Sequence, residues 1–255
     1  MNKIKVLIIG KNSLLSNCFK LKTSLRNVNY VNHKVINKIK LKKYTHIINF
    51  SVDPKIYKNN YNLINKIDLK ICKKIRKLNS IYIFPSSRLV YSKSKKNIYG
   101  LNKKKIENDI IKIKKKFLIL RIGNILTYDT SIRNLFISRL LRSLKSNSFV
   151  KLDISKNTYK DFITSDLFVK ILDAMIKKNV VGKFNLSSNI RVKVIDIINQ
   201  IIRGYGKGKV IMTKEIKRND SFRLQNKKLK KIIKFKTSKK EILQYCFKLG
   251  RKLNA

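Results

Sequence analysis

The stretch Ile81-Tyr82-Ile83-Phe84-Pro85-Ser86-Ser87 is an apolar run ending in two serines, followed by Val90-Tyr91 and then Tyr99-Gly100-Leu101-Asn102-Lys103. Ile81 to Phe84 reads as a buried strand, and Lys104, Lys105, Ile106 and Glu107 carry a helix-forming run onward from Tyr99. Positions four apart share a helix face, so Tyr99 and Lys103 point together. A phenol is a poor acid near neutrality, with an ordinary pKa of about 10, and an ammonium one turn away is expected to lower it. Ser87, Tyr99 and Lys103 are therefore the candidate catalytic residues. Such a set moves a proton at a substrate oxygen while a nicotinamide moves a hydride.

Spacing alone does not single out Tyr99, because Tyr30-Lys34, Tyr91-Lys95 and Tyr205-Lys209 repeat it in this lysine-rich chain. Its surroundings do. A strand carrying Ser87 precedes Tyr99 and a helical run follows it.

Outward from this stretch, short apolar strands alternate with amphipathic helices. Strands are predicted at Lys5 to Ile9, Val28 to Val31, Thr45 to Phe50, Ile81 to Phe84 and Phe117 to Ile122. Helices are predicted at Leu14 to Leu21, Tyr57 to Leu78 and Tyr99 to Lys115. That alternation predicts an α/β fold with a doubly wound parallel sheet, Rossmann-like, whose ligands bind at the carboxyl ends of the strands. Gly10, Ser51, Ser87 and Asn124 all fall at such ends.

Beyond about Thr127 the pattern loosens. Helices are expected at Ile132 to Leu144, Ser165 to Ile176, Val192 to Ile202 and Lys239 to Leu249, the last with the character of a surface helix. Asp161-Phe162-Ile163 is a short apolar segment and Phe184-Asn185-Leu186 a strand. The glycine-dense Gly204-Tyr205-Gly206-Lys207-Gly208 reads as a helix-ending turn.

The 255 residues suffice for one large domain, or for a main domain with a smaller lobe. With 62 basic against 13 acidic side chains the formal charge is +49, which would draw any polyanion. The lysines are scattered and show no nucleic-acid-binding motif, so a genome rich in A and T explains them better than a nucleic-acid partner does. Cys18, Cys72 and Cys246 are odd in number and far apart, which argues against disulfides and fits a reducing cytoplasm. His33 and His46 have no ligand-like spacing, so no metal is expected. Ile4 to Ile9 is too short for a membrane span, reads as no signal peptide, and no apolar run approaches about 20 residues.

The ordered motifs resemble the extended short-chain dehydrogenase/reductases, the epimerase/dehydratase type that acts on nucleotide-diphosphate sugars. Ile48-Asn49-Phe50-Ser51 is similar to the family's Asn-x-Ala-Ala strand end, and Asn62 to the asparagine of the next helix. Ser86-Ser87-Arg88-Leu89-Val90-Tyr91 resembles Ser-Ser-x-x-Val-Tyr-Gly, with Ser92 in place of the glycine. Tyr99-Gly100-Leu101-Asn102-Lys103 with Glu107 resembles Tyr-Gly-x-Ser-Lys-x-x-x-Glu, with Asn102 in place of the serine. Further on, Leu120-Arg121-Ile122-Gly123-Asn124 resembles Leu-Arg-x-x-Asn, and Tyr159 to Asp166 resembles Arg-Asp-Phe-Ile-x-x-x-Asp. Gly182 to Leu186 resembles Gly-x-Tyr-Asn-Leu, and Arg218-Asn219-Asp220 the late Arg-x-x-Asp region that meets the substrate phosphates.

The resemblance implies NAD or NADP held by Gly10, Ser13, Leu14, Leu15, Ser51 and Lys103, and a nucleotide-sugar substrate met by Asn124 and Arg218. Residues 1–128 with 159–180 would form the cofactor-binding domain, and 129–158 with 181–255 a small C-terminal substrate lobe. A homodimer through the Tyr57–Leu78 and Tyr99–Lys115 helices is common in the family. The chain departs from the pattern in its phosphate loop, where Gly-x-x-Gly-x-x-Gly is replaced by Gly10-Lys11-Asn12-Ser13-Leu14-Leu15-Ser16, implying a weakened hold on the cofactor. Arg88-Leu89 stands where dehydratases carry Asp-Glu, which leaves reduction or epimerisation. The alternative is a non-catalytic Rossmann-fold binding protein with a polyanion-binding basic surface.

Overall fold

A computed structural model describes residues 3–61, 67–132, 135–213 and 221–254. The chain divides into two compact units, one formed by the chain through Ile122 with Val169–Leu186, the other by Gly123–Phe168 and the chain from Ser187 onward.

In the first unit, β1 (Val6–Ile9), α1 (Leu14–Lys22), β2 (Val28–Val31), β3 (His46–Asn49), α2 (Ile67–Lys74), β4 (Ile81–Ser87), α3 (Ile98–Ile113) and β5 (Phe117–Ile122) follow in order. The strands join in the order β2-β1-β3-β4-β5, and a strand at Gly182–Leu186 pairs beside β5 as the sixth. All of these pairings are parallel. Both faces are apolar. Leu7, Ile9, Ile47, Tyr82, Phe84 and Ile119 pack on Leu69, Ile71, Cys72 and Ile75 of the α2 region and on Ile106 and Ile110 of α3. Their neighbours Val6, Ile8, Ile48, Ile83, Leu118 and Leu120 are just as buried on the opposite face. This is the burial that continuous apolar strands of a doubly wound sheet require.

The predicted helix over Tyr57 to Leu78 takes a different form. Asp53 accepts a hydrogen bond from the Lys55 amide and Pro54 occupies the first turn of a short 3-10 helix, Pro54–Tyr57, which ends at Lys58 in extended conformation. Within the described residues the α-helix is confined to Ile67–Lys74. The chain's other proline, Pro85, lies inside β4. Pairing with β3 stops at Ile83, so no ladder bond to β3 is asked of the proline nitrogen.

The second unit holds β6 (Asn124–Leu126), α4 (Phe136–Asn147), β7 (Phe149–Leu152) and β8 (Tyr159–Thr164). α5 (Ser165–Lys177) leads back to the first unit, where the sixth strand of the main sheet is β9 (Gly182–Leu186). Then come β10 (Arg191–Lys193), α6 (Val194–Tyr205), β11 (Lys209–Met212), α7 (Lys227–Ile232) and α8 (Lys239–Arg251). β8 pairs with β10 antiparallel and with β6 parallel, while β7 and β11 form a separate parallel pair. Gly206, at φ +78°, ends α6 in the left-handed cap expected of that glycine-dense turn. α8 begins with a capping box between Ser238 and Glu241, and buries Ile242, Cys246, Leu249 and Gly250. Asp161 is fully buried and accepts from the Ser188 amide and hydroxyl and from the Leu224 amide; burial still pushes its carboxyl up to about 6. No helix among the described residues is long and apolar enough to cross a membrane.

Candidate active site

β4 delivers Ser86 and Ser87 to the carboxyl edge of the sheet, and the chain turns there through a 3-10 segment, Arg88–Tyr91. Ser87 Oγ accepts from the Leu89 amide at 3.2 Å and so opens that turn. α3 is docked directly on it. Asn97 donates from Nδ2 to the Leu89 carbonyl at 2.8 Å, while its Oδ1 accepts from the Gly100 amide. A Cβ at Gly100 would stand 2.2 Å from the Leu89 carbonyl oxygen, so only glycine lets the helix come this close. This contact sets Tyr99 and Lys103 beside the strand end that carries Ser87.

Lys103 is buried, 2% exposed. Its Nζ donates to the Pro85 carbonyl at 3.1 Å, and lies 4.3 Å from the Phe84 ring centroid and 5.9 Å from that of Tyr99. Burial lowers the ammonium's pKa, against the charges of Asp68, Tyr57 and Glu107. The expected lowering of the Tyr99 phenol is not what the site produces. Burial first and the Asp68 charge second push it up to about 12.

At the end of β1, Gly10 has φ +94°, and a Cβ there would lie 2.6 Å from the Ser51 amide nitrogen. The two serines in the loop bind each other and the backbone. Ser13 caps α1 by accepting from the Ser16 amide at 3.1 Å, and donates to Ser16 Oγ at 3.0 Å. Ser16 Oγ in turn donates to the Gly10 carbonyl at 2.7 Å. Leu14 and Leu15 form the first turn of α1 beside this knot. Ser51 Oγ, at the facing strand end, is buried without a hydrogen-bond partner among the described residues.

Several residues around the site were not singled out by the sequence. Tyr57 stacks on Tyr99 with ring centroids 4.8 Å apart and planes 15° from parallel. Asn102, noted only as a replacement for serine, donates to the Ile56 and Lys58 carbonyls at 2.8 and 3.1 Å and clasps the segment that bears Tyr57. Ser86 donates to Glu107, which holds Arg121; Arg121 Nη1 donates to Tyr91 Oη at 2.6 Å, and that hydroxyl donates to Asn185 at 2.8 Å. The signal for Ser86, Glu107 and Arg121 was their place in the motifs. Tyr57 and Asp68 gave none.

Asn124 opens β6 in the second unit, with its Nδ2 buried and without a partner among the described residues. Arg218, like Asn62, Asn219 and Asp220, lies outside the described residues.

No protein-family model matches the sequence, and no curated protein matches it. Solved structures do. A UDP-N-acetylglucosamine 4-epimerase from Methanobrevibacter ruminantium M1, in complex with UDP-N-acetylmuramic acid, is similar at a TM-score of 0.79 and 13% identity, over 98% of each chain. MoeE5, in complex with UDP-glucose and NAD, is similar at 0.77 and 15%, over 98% of this chain and 100% of that one. A dTDP-4-dehydrorhamnose reductase from Clostridium acetobutylicum is similar at 0.75 and 18%, over 99% and 100%. At such identities the likeness is one of fold, and the chain has the Rossmann-like α/β fold that these three structures share.

Proposed function

We propose that the chain is an NAD(P)-dependent reductase or epimerase of a nucleotide-diphosphate sugar. The observation that carries this reading is the pairing of Tyr99 with a fully buried Lys103 on one face of α3, docked on the strand end that bears Ser87. The residues present suit a dinucleotide. Gly10 keeps open a close approach that a Cβ would fill, and Ser51 Oγ is a buried hydroxyl with bonding capacity to spare. The first turn of α1 at Leu14 and Leu15 would meet the pyrophosphate, and Lys103 the nicotinamide ribose. When bound, the nicotinamide would donate or accept the hydride.

Ser87 would donate a hydrogen bond to the reacting oxygen, and Tyr99 would move the proton there. Pushed up to about 12 by burial, the Tyr99 phenol is protonated at physiological pH, the form that reduction consumes, and is a weaker acid than an ordinary phenol. In the reductive direction hydride would reach a carbonyl carbon and the Tyr99 proton its oxygen. Asn124 and Arg218 would bind the substrate, and we place the enzyme in the cytoplasm as a homodimer. Among known folds of this kind, the epimerase, MoeE5 and the reductase named above are described with nucleotide-linked sugars, which supports the substrate class.

Calorimetric titration of NADH and NADPH into the wild type and a Ser13→Gly variant tests this. Saturable binding that tightens in Ser13→Gly, where the Ser16 amide is released to a phosphate oxygen, followed by reduction of a nucleotide-linked keto sugar that is lost in Tyr99→Phe, is the expected result. No saturable binding of either cofactor would overturn it and favour a binding protein with a basic surface.

A further inference from the structure

Tyr57 is 61% exposed, and an aromatic ring so open to water adds little to the core. Its place is nevertheless fixed from several sides. Asp53 accepts from the Lys55 amide at 2.9 Å to start the 3-10 turn, and Ile56, the residue before Tyr57, is buried in the same apolar cluster as Ile106 and Ile110 of α3. Asn102 of α3, itself buried, spends both Nδ2 hydrogens on the two carbonyls that flank Tyr57, Ile56 at 2.8 Å and Lys58 at 3.1 Å. A serine hydroxyl has one hydrogen and could serve only one of them. The product of this clasp is the stack, with Tyr57 and Tyr99 ring centroids 4.8 Å apart and planes 15° from parallel.

The stack controls the plane of the Tyr99 ring. Rotation of a phenol about χ2 lies in a broad well, and the phenolic O–H lies in the ring plane, so that plane aims the proton. Lys103 does not set it. Its Nζ is 5.9 Å from the Tyr99 centroid, at the outer limit of a cation–π contact, and is bonded to the Pro85 carbonyl.

We propose, resting on the reading of Tyr99 as the proton-transfer residue given above, that Tyr57 is a positioning residue: clasped by Asn102 and stacked on Tyr99, it fixes the plane in which the Tyr99 proton is delivered. Reacting groups must be held to roughly 10–20° of the productive geometry, and a ring braced on one face meets that demand where a free one does not. The work is done by the ring face of Tyr57 and not by its hydroxyl. Phenylalanine should therefore replace it, and alanine should not.

Carbon-13 relaxation of the tyrosine rings in the unliganded protein tests the brace, with Tyr99→Phe assigning the signal. The Tyr99 ring is expected to be rigid on the picosecond-to-nanosecond scale in the wild type and in Tyr57→Phe, and mobile in Tyr57→Ala. A ring as rigid in Tyr57→Ala as in the wild type overturns the proposal. Should Tyr57→Ala fail to fold, Asn102→Ser decides in its place: it gives up one of the two clasping bonds, and an unloosened Tyr99 ring there overturns the proposal equally. Steady-state kinetics with NADH and a UDP-linked 4-keto sugar as probe tests the consequence. Tyr57→Ala is expected to lose about tenfold or more in kcat at little-changed KM, with Tyr57→Phe close to the wild type. A loss confined to KM, or a loss in Tyr57→Phe equal to that in Tyr57→Ala, overturns the role assigned to the ring face. A wild type that binds no NADH defeats the enzyme reading instead, and the ring relaxation, which needs no cofactor, then decides the brace by itself.

Discussion

Glu107 receives the guanidinium of Arg121 on both carboxylate oxygens, with Nε 3.1 Å from each and Nη2 2.6 Å from Oε2. Glu107 is almost fully buried, and Arg121 keeps 17% of its side chain exposed. Removing one partner of such a pair strands the other, so Glu107→Ala should destabilise the fold by about 3 kcal/mol. Glu107→Gln should cost less, since its amide oxygen still accepts from Arg121. Urea unfolding of the two variants measures this, and losses below about 1 kcal/mol would show that water replaces the carboxylate.

Two glycines bring α6 and α8 together. A Cβ on Gly204 would lie 2.0 Å from the Phe247 carbonyl oxygen, and one on Gly250 2.0 Å from that of Ile201. In an open helix, glycine to alanine gains about 1 kcal/mol. Here Gly204→Ala and Gly250→Ala should each cost about 1–3 kcal/mol through overpacking. Thermal or denaturant unfolding gives the sign, and a stabilised variant would mean that the two helices can part at no cost.

The sequence exposed the main sheet because its strands are buried on both faces and so appear as unbroken apolar runs; Phe117 to Ile122 is predicted and found with the same ends. It exposed Tyr99 and Lys103 because a helix converts spacing into a shared face. It failed at Tyr57, where Asp53-Pro54 starts a short 3-10 turn that the apolar period does not register. It also overlooked β6, β7, β10 and β11, which have three or four residues each and too few alternations to reveal a period. The charge network was hidden for another reason. Asp68 looks like one more polar residue on an amphipathic helix, and only the fold shows it buried and bonded to Asn49.

Gly10 and Gly206 both have positive φ, +94° and +78°, but only Gly10 is crowded: a Cβ at Gly206 would meet nothing within 4 Å. Gly206→Ala should therefore cost only the left-handed backbone, about 1 kcal/mol. Gly10→Ala must in addition displace the Ser51 turn, and should cost clearly more while abolishing any NADH binding. Equal losses in the two variants would show that the Gly10 contact relaxes freely.

His46, at the start of β3, is 1% exposed, with Nδ1 2.9 Å from Thr45 Oγ1 and Nε2 lacking a partner among the described residues. Burial lowers its pKa from 6.5 to about 4. The unfolded chain thus binds a proton near pH 6.5 that the folded chain refuses until about pH 4, so stability falls as pH drops through that window. Two and a half units correspond to about 3 kcal/mol. Asp68 and Asp161, each raised to about 6, act in the opposite sense, since the folded chain binds their protons first and gains stability as pH falls from 6 toward 4. The wild-type curve alone mixes these effects, but its difference from a His46→Asn variant isolates the histidine. Denaturant unfolding at pH 7 and pH 4 should show the wild type's advantage over the variant shrinking by about 3 kcal/mol. Parallel curves would mean that the imidazole takes its proton without leaving the folded state.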